Sequence, residues 1–349
     1  MHPYKSAPSR SFWSRSVASN FDAAQLFSFE GPLLRKRDRI VSAGSCFAAN
    51  IIPSLERSGF KYVRTEERHR IFRSIPIENM GYPNFSAAYG NIYTSKQLLQ
   101  LIKRSKGDFN PIEDRWITEG GVIDPFRPGL RYPAMSEREF EVLRAQHFNA
   151  VLEAFRQCDV FIFTLGLTEC WISKVDGAIF PACPGTISGT FDSAKHEFYN
   201  LSVSEIVDDL VGFFSELKSL ARSPRVILTV SPVPLVATAT GDHVLTASIY
   251  SKSVLRVAAQ EFCRLEPAAT YFPSYEIVAG PQAPSNYFNE DRREVSTEAV
   301  EAVMAAFLSN CENDGVCREP QDDSNERIML EIERSELLTP SVCEEAMVE

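Results

Sequence analysis

The chain has 349 residues, 44% hydrophobic and 23% charged, with a net charge of −10. This is ordinary globular composition and excludes a wholly disordered chain. No apolar run approaches the roughly 18 residues needed to span a bilayer, and the basic opening around Lys5 and Arg10 has no apolar stretch behind it, so neither membrane insertion nor a secretory leader is expected. The charge is unevenly placed. Residues 311–349 hold 12 acidic and 3 basic side chains, whereas residues 1–310 hold 34 and 33. The near-neutral body lacks the basic footprint of a nucleic-acid binder, so no nucleic acid is expected as a partner. We read one domain over 1–310 and an acidic, flexible tail over 311–349, in which 327–338 has the pattern of a short amphipathic helix.

Strand-like runs fall at 39–43, 159–165, 225–231 and 269–275. The second and third, VFIFTL and VILTV, are almost continuously apolar, as in strands buried on both faces of a parallel sheet. Helical patterns lie between them. Phe47, Ile51 and Leu55 recur at i, i+4 and i+8, with Gly59 placed to end that helix. Ser136 and Glu139 form a capping-box pattern before a helix reaching about 157, and Ser202 with Glu205 opens another. A last helix follows Ser296. Strands alternating with helices predict an α/β protein with a mainly parallel, doubly wound sheet. Two stretches break the alternation, 62–94 and 172–200, rich in turn formers such as Pro76, Gly81, Gly90, Pro184 and Gly189. Both read as long ordered loops leaving strand ends, the kind of insertion that is usually functional.

The eight cysteines include no Cys-x-x-Cys pair and no Cys/His cluster with zinc spacing. They are expected to be reduced, in a cytoplasmic compartment, with no metal or organic cofactor. Asp124, Glu169, Asp291 and Glu294 would hold a divalent cation only if the fold converges them.

In open α/β sheets ligands bind at the carboxyl ends of the strands. After the first strand comes Ala43-Gly44-Ser45-Cys46-Phe47-Ala48, with Ser45 at the turn into a helix. Two readings fit Ser45: a nucleophile whose oxyanion product is favoured by free N–H groups, or simply a helix N-cap. After the second strand comes Thr164-Leu165-Gly166-Leu167-Thr168-Glu169-Cys170-Trp171, and Glu290-Asp291-Arg292-Arg293-Glu294 precedes the last helix.

Taken together, GSCFA at 44–48, YGNIYT, TLGLTECW, TVSPVPL, YSKSVLR at 250–256 and YFPSYE at 271–276 resemble the ordered blocks of the GSCFA family. That family is similar to the SGNH (GDSL-like) hydrolases. The resemblance covers roughly residues 1–310. It implies a three-layer α/β/α sandwich of flavodoxin-like topology with long loop insertions, and ester hydrolysis or acyl transfer on acylated carbohydrates or lipids. Carried over position by position, Ser45 matches the nucleophile and first oxyanion donor, and Gly90 the second, with Asn91 beside it to orient the loop or touch substrate. The third block, normally Gly-x-Asn-Asp, reads Gly166-Leu167-Thr168-Glu169, so Thr168 would donate through its hydroxyl. Glu169 and Trp171 become candidate substrate contacts. The fifth block, normally Asp-x-x-His, reads Asp291-Arg292-Arg293-Glu294, with Glu294 where the general base should stand. A serine hydroxyl is a poor nucleophile without an adjacent base, and a carboxylate at its ordinary pKa of about 4.3 accepts that proton poorly.

Five histidines are present, His2, His69, His147, His196 and His243. His147 reads as structural. His243, in the loop after the third strand and beside Asp242, reads either as an exposed loop histidine or as the first candidate among the histidines for a substitute base, with His196, in the long insertion, second. Lys252 and Arg256, at i and i+4, fit either an anion site or, better, a solvated helix face. Two functions of different class follow. One is a serine esterase or O-acyltransferase acting on a small-molecule or saccharide ester. The other is a catalytically inactive descendant that binds a saccharide or acyl ligand.

Overall fold

A computed structural model of the chain describes residues 2–312 apart from 20, 28–30, 68, 71–83 and 131. Expectations placed on Pro76, Gly81 and residues 313–349 lie outside the described residues. The helices are α1 (Trp13–Ser16), α2 (Cys46–Ala49), α3 (Ile51–Arg57), α4 (Ser95–Lys106), α5 (Glu137–Gln157), α6 (Val203–Leu220), α7 (Val244–Leu265), α8 (Ser274–Ala279) and α9 (Thr297–Ser309). The strands are β1 (Arg39–Ala43), β2 (Lys61–Tyr62), β3 (Trp116–Thr118), β4 (Gly121–Ile123), β5 (Val160–Leu165), β6 (Glu169–Ser173), β7 (Ile179–Phe180), β8 (His196–Asn200), β9 (Arg225–Val230) and β10 (Ala269–Tyr271).

Five strands form the central sheet in the order β10-β9-β5-β1-β2, every neighbouring pair parallel. Counted along this sheet the order is 2-1-3-4-5, the flavodoxin-like winding. All six residues of β5 are buried. Val41, Phe161, Phe163, Val226 and Leu228 face the layer built from α4, α5, α6 and α7. Ile40, Val160, Ile162 and Ile227 face the opposite layer, built from α2, α3, α8 and α9. The result is the expected three-layer α/β/α sandwich.

Local chemistry sets the helix ends. The side chains of Thr94, Ser136, Ser202 and Ser296 each accept a backbone N–H from the first turn of α4, α5, α6 and α9, and Ser202 with Glu205 completes a capping box. The single helix expected after Ser45 is divided into α2 and α3. Pro53 sits in the first turn of α3 and has no N–H to return to Ala49, so the two segments cannot share one ladder. The fourth predicted strand stops at Tyr271, because Pro273 ends the pairing and α8 begins.

Residues 172–200 differ from the expected loop. They carry most of a three-stranded antiparallel sheet, ordered β7-β6-β8. Its aromatic side chains Phe180 and Trp171 pack with Trp116 and Phe126 from around the β3–β4 hairpin. The strands are short and separated by turn formers, which hides their alternation in the sequence.

The direction of α9 fixes one further position. Leu33 N–H donates to the Asn310 carbonyl, and the Leu33 carbonyl accepts from Arg225 at the start of β9. α9 therefore ends at the amino edge of the sheet and begins at the carboxyl edge. The 288–295 hairpin that precedes it, closed by a Phe288–Val295 bridge, belongs to the same edge as Ser45.

Candidate active site

The carboxyl edge of a sheet wound in this order has its switch point between β1 and β5, where crossovers leave to opposite sides. Ser45 stands there. The chain reaches it through Gly44, whose φ is +154°. A Cβ on Gly44 would lie 2.6 Å from the Ala48 Cβ and 2.9 Å from the Thr164 Cβ, so only glycine lets α2 turn this tightly off β1.

Ser45 is the N-cap residue of α2, and its carbonyl accepts from Ala48 N–H at 2.8 Å. Its side chain makes no capping bond, although it is only 5% exposed. The Ser and Thr caps of α4, α5, α6 and α9 all make theirs. Ser45 Oγ has no hydrogen-bond partner among the described residues, and neither does its backbone N–H.

The segment 86–93 lies against this turn. Ser86 Oγ accepts from Ser42 N–H at 3.4 Å, and the Tyr89 hydroxyl donates to the Ser42 carbonyl. Ile92 N–H donates to the Gly44 carbonyl at 2.8 Å. Between these anchors Gly90 turns the chain with φ +69°, a left-handed conformation that other residues adopt only at a cost. Gly90 N–H donates to no acceptor among the described residues. Asn91 is buried beside it, and its carbonyl accepts from Gln97 Nε2.

The third-block loop is tightly engaged. Gly166 and Leu167 N–H both donate to the Tyr93 carbonyl at 3.0 Å. Thr168 donates through its N–H (3.2 Å) and its hydroxyl (3.0 Å) to Ser251 Oγ on α7. The next residue, Lys252, corrects the solvated-face reading: it is 3% exposed and its ammonium donates to the Gly166 carbonyl at 2.7 Å. Its helix packs this face inward over the strand ends, burying Ser248, Ser251, Lys252 and Leu255 together.

Each of the remaining candidates makes contacts of its own. Asp291 is exposed, and its Oδ1 accepts from Arg293 N–H and Glu294 N–H, both at 3.0 Å. Glu294 is exposed and receives Asn289 Nδ2 at 3.4 Å. His243 is exposed, caps α7 and accepts Leu245 N–H at Nδ1. Eight residues separate it from Ser251, so along the helix it stands about 12 Å beyond the level of Thr168. His196 is buried in the small sheet, with Nδ1 accepting from Asp192 N–H and Nε2 donating to Glu113 at 2.8 Å. Glu169 accepts from Thr238 Oγ1 at 2.8 Å, and its burial raises its pKa. Trp171 packs edge-on against Phe191 and Phe198. The carboxylates considered for a cation do not converge. Asp124 pairs with Arg127, and no group of three or more His, Cys, Asp or Glu among the described residues could hold a metal.

The sequence reading passed over one cluster. Glu66, buried at 7%, receives Ala88 N–H at 2.7 Å and His147 Nδ1 at 2.7 Å. Arg127 Nη1 donates to the Ala88 carbonyl at 3.2 Å, and its Nε donates to Asp124 at 2.9 Å. Burial works to raise the pKa of Glu66, but the charges and hydrogen bonds of His147 and Arg127, with Ala88 N–H, leave it below the usual carboxylate range. Burial and Arg127 lower that of His147. His147 is thus a neutral donor to an ionised carboxylate.

A flavodoxin-wound three-layer sandwich with a buried, uncapping serine at its switch point defines the chain as a doubly wound α/β protein. The chain belongs to the GSCFA family, whose model matches residues 39–307. A comparison with curated proteins returned no match. Among solved structures the chain is similar to a protein of Streptococcus pneumonia provisionally described as a platelet activating factor. The identity is 11% over 82% of this chain and 88% of that one, with a TM-score of 0.36. It is also similar to a carbohydrate esterase family 3 from Talaromyces cellulolyticus, at 7% identity over 77% of this chain and 93% of that one, with a TM-score of 0.35.

Proposed function

We propose that the protein is an SGNH-like serine esterase or O-acyltransferase with Ser45 as nucleophile. The observation that carries this reading is the uncommitted Ser45 hydroxyl. It sits at an N-cap position where four other helices of the chain use a Ser or Thr to cap. A hydroxyl kept from its own backbone, beside N–H groups of Ser45 and Gly90 that have no acceptor among the described residues, suits attack on a carbonyl.

In this mechanism Ser45 Oγ bonds to the ester carbonyl carbon and its proton passes to Glu294, the residue at the fifth-block base position. The oxyanion is received by the Ser45 and Gly90 N–H groups. Thr168 acts through Ser251 to fix the floor of the site. Glu294 returns the proton to the leaving alkoxide. Water, or an acceptor hydroxyl, then takes the acyl group from Ser45 by the reverse proton path. Asp291 shapes the Glu294 turn through its two backbone contacts. Resemblance to the SGNH hydrolases supports an acylated carbohydrate or glycoconjugate as substrate. Acetate release from acetylated oligosaccharides tests the reading. Ser45→Ala abolishes it and Glu294→Gln strongly reduces it; release undiminished in Ser45→Ala refutes the proposal.

A second reading rests on a specific observation. No histidine ring or carboxylate hydrogen-bonds to Ser45 Oγ among the described residues. A non-catalytic descendant that binds a saccharide or acyl ligand at the same edge would show saturable oligosaccharide binding without turnover.

A further inference from the structure

Ala88 lies two residues before Gly90. Both of its backbone polar groups are held by buried side chains of opposite charge. Its N–H goes to Glu66 Oε2 at 2.7 Å, and its carbonyl receives Arg127 Nη1 at 3.2 Å. The two side chains approach each other at 3.8 Å and are almost fully buried. They come from separate parts of the chain, one just after β2 and the other just beyond the β3–β4 hairpin. His147 on α5 fixes Glu66 from behind, and Asp124 fixes Arg127. The neighbouring Thr65 donates its N–H and hydroxyl to the Ser86 carbonyl at 2.9 and 3.1 Å.

Burying an ion pair is a poor way to gain stability, since desolvation offsets the attraction. Here the pair grips both backbone polar groups of one residue, on the two consecutive peptide units that flank the Ala88 Cα, which would otherwise be buried in a loop with no ladder to satisfy them. We infer that Glu66 and Arg127 are positioning residues: by clamping both sides of Ala88 they set the Gly90 N–H against Ser45. This rests on the serine-hydrolase reading for its catalytic consequence. The clamp itself rests only on the contacts at Ala88.

The test uses the full chain and three variants. Glu66→Met and Arg127→Met remove the acceptor and the donor that hold Ala88. Arg104→Met disturbs the same buried cluster, where Arg104 pairs with Asp124 at 3.7 Å, without touching Ala88. Two readouts are taken: hydrogen exchange of a peptide spanning 84–94, and kcat and KM for p-nitrophenyl acetate. We expect faster exchange of that peptide and a fall in kcat of about 10–100-fold at constant KM in the first two variants only. Equal effects in Arg104→Met, or kcat falling only in step with the folded fraction, would overturn the inference. If the wild-type protein neither turns over the ester nor takes a fluorophosphonate on Ser45, the hydrolase reading fails. The clamp is then decided by exchange alone: loosening confined to the two Ala88-touching variants sustains it, and any other pattern rejects it.

Discussion

Replacing Gly44 by alanine puts the turn that carries Ser45 under direct load. The new Cβ would lie 2.6 Å from the Ala48 Cβ, 2.9 Å from the Thr164 Cβ and 3.1 Å from the Thr164 carbonyl oxygen. None of these is the free end of a flexible side chain; one belongs to α2 and two to the central strand β5. Overpacking of this kind costs about 1–3 kcal/mol. The φ of +154° adds about 1–3 kcal/mol for a residue with a side chain. With both obstacles rigid, we expect a total of about 4 kcal/mol, a fall in Tm of about 6 °C for a domain of this size. Gly107 is the control: it ends α4 at φ +82° and a Cβ there meets nothing within 4 Å, so Gly107→Ala isolates the conformational cost of about 1 kcal/mol. Urea unfolding followed by tryptophan fluorescence measures both. If Gly44→Ala costs no more than Gly107→Ala, the close packing of β1, α2 and β5 at Ser45 is refuted.

Other substitutions should move stability in known directions. Thr164 is fully buried with its hydroxyl unpartnered among the described residues, so Thr164→Val should stabilise by about 1 kcal/mol, and a loss would reveal a partner for that hydroxyl. Ser251→Ala leaves the N–H and hydroxyl of Thr168 buried without their acceptor and should cost about 1–3 kcal/mol by the same assay; a neutral result would show that α7 does not hold this loop. The buried His147 has a folded pKa below its unfolded value of about 6.5, so the unfolded chain binds the extra proton first. Its contribution is complete above pH 6.5 and is lost as the pH falls toward the folded value. The depressed pKa of Glu66 acts in the same direction, its contribution being lost as the pH falls below the ordinary carboxylate range. His147→Gln should therefore flatten the stability profile between pH 7 and 5 while the acid limb remains. An unchanged slope there would contradict the buried, neutral histidine.

The sheet was legible where the chain is simplest. Strands buried on both faces read as unbroken apolar runs, so β5 and β9 stand out, and the capping residues announce α5, α6 and α9. Ser45 was legible from its place at the turn after the first strand and from the resemblance to the GSCFA family, and Gly90 from that resemblance alone; the positive φ of Gly44 and Gly90 fits tight turns at both places. Lys252 was misjudged for a physical reason: charge at i and i+4 normally marks a solvated face, and only packing against the β5 end reverses that. The small β6–β8 sheet hid among prolines and glycines. The Glu66–His147 contact joins residues 81 apart through a loop, and no local pattern encodes it. The same holds for Thr168, whose engagement with Ser251 spans 83 residues.

The proposed chemistry proceeds only if Ser45 is an activated nucleophile. Incubation of the full chain with a fluorophosphonate, followed by intact mass and peptide mapping, probes this without need of a substrate. A single adduct on Ser45, absent in a folded Ser45→Ala variant, is expected. A folded wild-type protein that takes no adduct at high probe excess would contradict it.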